Sequence, residues 1–177
     1  MLPCATSVAL NLPSIGQPMN VRHETTIHSA GERAAARAEA LGAICRQFDI
    51  DALYAFGSRG LEALEWLEGK RAHLVPGGSD VDVGVKLPGL ADERDLALRD
   101  KVRLTVALED LLGVDRVDLV TFVEADALMA VAIISGELLY ARDLRATDEL
   151  ELYLLRRAAD LEPLARERRA MILGRSR

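Results

Sequence analysis

Residues 80–87, Asp-Val-Asp-Val-Gly-Val-Lys-Leu, alternate strictly along the chain. That period of two predicts a β-strand with Val81, Val83, Val85 and Leu87 on one face and Asp80, Asp82, Gly84 and Lys86 on the other. Two apolar runs, 52–56 (Ala-Leu-Tyr-Ala-Phe) and 116–122 (Arg-Val-Asp-Leu-Val-Thr-Phe), read as buried strands, and a further short segment spans 137–140. Elsewhere the apolar period lengthens to that of a helix. Ala34, Ala38, Leu41 and Cys45 share one face of a helix over 31–47, with Ser29 available as its cap. Leu61, Leu64 and Leu67 predict a short helix running to Gly69, and Leu104, Leu108, Leu111 and Leu112 a helix over 92–112 stopped by Gly113. A helix over 125–135 follows. Leu150, Leu154, Ala158, Leu161 and Ala165 then step by four, four, three and four along a long helix over 147–172.

Strands alternating with helices predict an α/β domain with a small central sheet. Pro76-Gly77-Gly78 marks 70–79 as a loop, and three prolines without apolar period mark 1–20 as an unfolded leader, with Met19 as well as Met1 a candidate start. The core is expected at 30–145, with the segment 146–177 as a terminal helix packed on that core or on a partner.

Composition narrows the function classes. The chain has 177 residues, of which half are apolar and 28% charged, so it can bury one core and is not a disordered chain. Its 22 basic against 28 acidic residues give a net charge of -6, a poor field for general nucleic-acid binding. From Glu151 onward seven arginines face four acids, so the last segment is locally positive while the rest is acidic. Cys4 and Cys45 have no CxxC spacing, so neither a zinc site nor a disulfide framework is expected. No apolar run approaches the ~18 residues of a membrane span and no export signal is read, so a reducing, cytoplasmic setting is expected.

Three places carry candidate chemistry. Gly57-Ser58, between a strand and a helix, suits an anionic group, because helix N-terminal amides are unpaired and glycine lets the backbone come close. A plain capped turn would use the same residues. Asp80 and Asp82 project from one face of one strand, a pleat apart, and repel unless a cation intervenes. Hard oxygen donors with few other ligands favour magnesium, although a sheet with one solvated acidic face would look alike. Asp118 interrupts an apolar strand, where a buried carboxylate needs a partner, either a metal shared with the other two acids or an arginine such as Arg116 or Arg103.

The order strand, Gly-Ser, helix, Asp-x-Asp strand, helix, single-Asp strand resembles the nucleotidyltransferase superfamily that includes DNA polymerase beta. Within it, Gly57-Ser58-Arg59-Gly60, Ser79-Asp-Val-Asp-Val-Gly-Val85 and the terminal helix are similar to the minimal nucleotidyltransferases called MNT, often paired as antitoxins with HEPN-domain RNases. The 21 residues between Ser58 and Asp80 are more than that group usually has there, and Trp66 and His73 within them are candidate nucleotide contacts or simply packed side chains.

The resemblance implies a nucleotidyltransferase fold, with a small mixed central sheet flanked by helices and a long C-terminal helix. It implies two magnesium ions held by Asp80, Asp82 and Asp118, which are also the catalytic residues. Gly57, Ser58, Arg59 and Ser79 would contact ATP, and AMP would pass to a tyrosine of a HEPN-type partner. A small-molecule nucleotidyltransferase of the aminoglycoside kind and a non-catalytic binding module are the alternatives.

Overall fold

The computed structural model of the chain describes residues 21–89, 95–172 and 174; the predicted leader lies outside them. The pattern of strand and helix periods is realised as α1 (Val21–Gln47), β1 (Ala52–Phe56), α2 (Gly60–Leu67), β2 (Val81–Lys86), α3 (Leu98–Leu112), β3 (Val117–Thr121), α4 (Ala127–Ile134), β4 (Glu137–Ala141) and α5 (Leu144–Ile172). The strands form one mixed sheet in the order β3-β2-β1-β4. β1 is antiparallel to both β2 and β4, while β2 and β3, joined through α3, are parallel.

Both faces of the sheet are covered. On one, Leu41 and Cys45 of α1 and Leu104, Leu108 and Leu112 of α3 pack against Leu53, Val81, Val83 and Val85. On the other, Ala130 and Ile133 of α4 and Leu154 of α5 pack against Ala52, Tyr54 and Phe56. The alternation of 80–87 therefore does not give a solvated polar face along its whole length. Gly84 lies under Ile133, with which any added Cβ would collide, and Lys86 is buried with its ammonium donating to the carbonyl oxygens of Leu87 and Gly89. Glycine at 84 is what lets α4 lie directly on the sheet.

Several boundaries move for physical reasons. α1 starts at Val21 rather than 31, so Ser29 lies within the helix and is not its cap; the extra turns are rich in polar residues and carry no periodic stripe that a hydrophobic pattern could show. α3 starts at Leu98 rather than 92, with 90–94 outside the described residues. Asp95, just before it, accepts a hydrogen bond from the Thr121 hydroxyl at 2.8 Å and so ties the non-helical approach to β3. α5 begins at Leu144 because Asp143 caps it, accepting from the amides of Arg145 and Ala146 at 2.9 and 3.2 Å.

The inward faces also differ in two places. In α2 the buried positions are Gly60, Ala63, Trp66 and Leu67, and Leu61 is exposed. In α5, among the described residues of the predicted stripe, Leu154 is buried where the helix crosses the sheet, and Leu161, about two turns later, is exposed. A 29-residue helix is about 43 Å long at 1.5 Å per residue and outruns the sheet.

Candidate active site

The site forms where β1 ends and β2 begins. Phe56 pairs with Asp82 across the antiparallel ladder, so the turn that follows β1 falls directly above the Asp82 carboxylate. That turn opens with Gly57 at φ +69°, a conformation that costs little only for glycine. A Cβ on Gly57 would strike Asp82 Oδ2, so both the backbone conformation and the close approach require glycine.

Gly57–Arg59 form a single 3-10 turn before α2. Ser58 does not cap α2, which takes Arg59 as its N-cap residue with no side-chain bond; the Ser58 hydroxyl instead lies 2.9 Å from that of Ser79 and shares a hydrogen bond with it. This pair joins the Gly-Ser turn to the residue preceding Asp80.

Arg59 points inward. It is 7% exposed, and its guanidinium donates to Glu62 Oε2 at 2.8 Å and to the carbonyl oxygens of Ser79 and Val75 at 2.8 and 3.0 Å. Rather than reaching out toward a nucleotide, it fastens the 75–79 loop to α2. The Glu62 carboxyl is held below its ordinary range chiefly by its hydrogen bond to Arg59. At the far end of the same loop, Arg37 donates to the carbonyl oxygens of Arg71 and Ala72 and lies 4.4 Å from the Trp66 ring centroid. Trp66 is thus a buried packing residue, and His73 is exposed on that loop.

The three acids come together as the strand order requires. In the parallel register of β2 and β3, Asp82 is paired with Asp118, and Asp80 directly precedes β2. Asp82 is partly buried, and its carboxyl is pushed up, first by burial and then by the charges of Asp118 and Asp80. Asp118 departs from the expectation of a buried acid: β3 is an edge strand, and the Asp118 side chain is 55% exposed. Its cationic neighbour is Arg116, at 3.4 Å from Oδ1, which also reaches Asp80 Oδ2 at 3.2 Å; Arg103 pairs with Asp100 instead.

Among the described residues no three acidic, histidine or cysteine side chains form a ready-made metal cluster. The donor chemistry nevertheless suits a hard divalent cation. Carboxylates from two adjacent strands, one of them destabilised as an anion first by burial and then by the other two, leave the cluster short of positive charge. A small cavity of about 120 Å³ opens beside Asp80, between Gly77-Gly78-Ser79 and Arg116. A larger cavity, about 580 Å³, lies at the opposite end of β1 and β2, where Lys86, Thr147 and Tyr153 line it, away from the three acids. The carboxylates, and not cavity size, mark the candidate site.

No family model matches the sequence, and no curated protein matches it closely enough to count as a relative. Solved structures do share its fold. One chain of the rebuilt and re-refined structure of the tri-AMPylated Shewanella oneidensis HEPN toxin in complex with MNT antitoxin aligns with a TM-score of 0.53 at 17% identity, covering 80% of this chain and 97% of that one. A chain of a mutant of the toxin-antitoxin pair MntA-HpeT aligns with a TM-score of 0.53 at 18% identity, covering 77% of this chain and 96% of that one. The mixed four-stranded sheet with flanking helices and a long last helix is the fold that this chain shares with those toxin-antitoxin structures. No helix among the described residues is long and apolar enough to cross a membrane.

Proposed function

We propose that this chain is a magnesium-dependent nucleotidyltransferase that moves AMP from ATP to a tyrosine hydroxyl of a HEPN-type toxin and thereby acts as its antitoxin. One observation carries the reading: Gly57 lies against Asp82, and Asp118 stands beside Asp82 in register. A binding module that works by contact alone has no use for three mutually repelling carboxylates at the end of a sheet.

The in-line displacement forms a bond between the acceptor oxygen and the alpha-phosphorus and breaks the bond to pyrophosphate, which leaves. Asp80, Asp82 and Asp118 would hold two magnesium ions, which supply charge neutralisation at the reacting phosphate and favour ionisation of the acceptor. Asp118, exposed at the sheet edge, is open to an incoming hydroxyl and takes its proton on a carboxylate oxygen. The Ser58 and Ser79 hydroxyls, already at one point, offer donors to phosphate oxygens, and Gly57 leaves room for them. Arg59 and Glu62 keep Ser79 in place from behind.

The partner reading draws support from the fold shared with a chain of the HEPN toxin and MNT antitoxin complex, and from α5. That helix exposes Leu152, Tyr153, Leu155 and Leu161 with arginines among them, a surface suited to protein contact within a cytoplasmic pair. Incubation of the protein with magnesium, alpha-labelled ATP and native-host lysate tests it. The labelled product is a protein whose modified residue maps to a tyrosine, and labelling is lost with Asp80→Ala/Asp82→Ala. Label confined to small molecules would replace the protein acceptor with a small one.

A further inference from the structure

Arg116 stands between two of the three acids. It precedes β3, its carbonyl oxygen accepts from the Val81 amide at 3.2 Å, and its position beside the start of β2 is therefore fixed by the ladder. From there the guanidinium spans the two strands, with Nε 3.2 Å from Asp80 Oδ2 and Nη2 3.4 Å from Asp118 Oδ1. It also lines the small cavity formed with Gly77, Gly78 and Ser79.

We infer that Arg116 is a positioning residue that serves as the resident counter-ion of the carboxylate cluster, which a divalent cation must displace to bind. The inference rests on the nucleotidyltransferase reading of the same three acids. A guanidinium and a divalent cation satisfy the same oxygens, so they compete: each carboxylate oxygen turned to Arg116 is one a metal has to win. The contacts are partly exposed, 64% for the arginine side chain, so their hold is modest and reversible, as a displaceable group requires. Without metal, Arg116 limits the repulsion among Asp80, Asp82 and Asp118. Once displaced, it still borders the cavity that Ser79 and Asp80 also line, within which its charge is available to an anionic phosphate.

The test is calorimetric titration of the intact protein with manganese(II) alone, without nucleotide, for wild type, Arg116→Gln and Arg116→Lys, together with thermal melts at low ionic strength. Arg116→Gln should bind manganese about threefold to tenfold more tightly, the range expected for loss of two partly exposed ion pairs. Its metal-free melting temperature should fall, and manganese should raise it by more than it raises the wild type. Arg116→Lys, which keeps a charge but loses the two-pronged reach, should lie between them. Equal or weaker manganese binding by Arg116→Gln would overturn the inference and leave the metal site standing. If wild type and both variants fail to bind manganese while remaining folded, the inference and the metal-site reading fall together.

Discussion

Gly57 approaches Asp82 so closely that one added carbon would meet the carboxylate oxygen. The contact links two motifs 25 residues apart, the Gly-Ser turn and the Asp-x-Asp strand, and makes glycine necessary twice over. Gly57→Ala places alanine at φ +69° as well as against Asp82. The left-handed conformation alone costs on the order of 1–2 kcal/mol, so urea unfolding should show at least that loss. Nucleotide transfer should fall further than stability does, because the displaced Asp82 is no longer aligned with Asp118.

Asp82 is held in an environment that resists its charge. Its carboxyl is raised, so the folded state favours the protonated form; this relative stabilisation is present at low pH and is lost as pH rises through the raised value. Asp82→Asn removes the charge at neutral pH. The metal-free variant should melt higher than wild type by on the order of 1 °C, with the gap closing on acidification, while transfer activity is abolished. Melting curves from pH 3 to pH 8 without metal check the sign.

Glu62 shows the opposite dependence. Held below its ordinary value of 4.5 chiefly by its bond to Arg59, it contributes stability that is fully present above that value and is lost as pH falls below it. Glu62→Gln should be less stable than wild type at neutral pH, and the two should converge in acid. Arg59→Ala should cost more, about 3 kcal/mol, because it leaves a largely buried Glu62 and two loop carbonyls without their partner. Urea titrations at several pH values separate the two effects.

Tyr54 donates to Glu151 at 2.9 Å and so fastens α5 to the middle of the sheet. Tyr54→Phe keeps the ring and removes that bond, an expected loss of about 1 kcal/mol. Hydrogen exchange should accelerate in the first turns of α5 more than in α3, which packs on the opposite face.

Much of this architecture is legible in the chain. The period-two run at 80–87, the apolar runs at 52–56 and 116–122, and the leucine spacings of α3 and α5 are local signals, and each returns as the element it predicts. Local signals do not reveal strand order. Asp118 reads as a buried acid because its neighbours are apolar, yet β3 lies at the edge, and only the sheet shows that. Arg59 beside Gly57-Ser58 reads as part of a phosphate turn, whereas its direction depends on a loop that returns from 20 residues away. Arg116 appears in sequence as one of two candidate partners for Asp118; that it also spans to Asp80 depends on the pairing of β2 with β3. Lys86, on the nominally polar face, is buried because α4 and α5 cover that face too.

The central claim is transfer of a nucleotidyl group under the control of Asp80, Asp82 and Asp118. The most direct measurement compares ATP labelled at the alpha-phosphate with ATP labelled at the gamma-phosphate, in parallel reactions containing magnesium and native-host lysate, with Asp80→Ala/Asp82→Ala as control. The account predicts that a macromolecular acceptor retains the alpha label and not the gamma label, with pyrophosphate released, and that the double variant transfers neither. Alpha-label transfer by the double variant at the wild-type rate, or no transfer by the folded wild type, would contradict it.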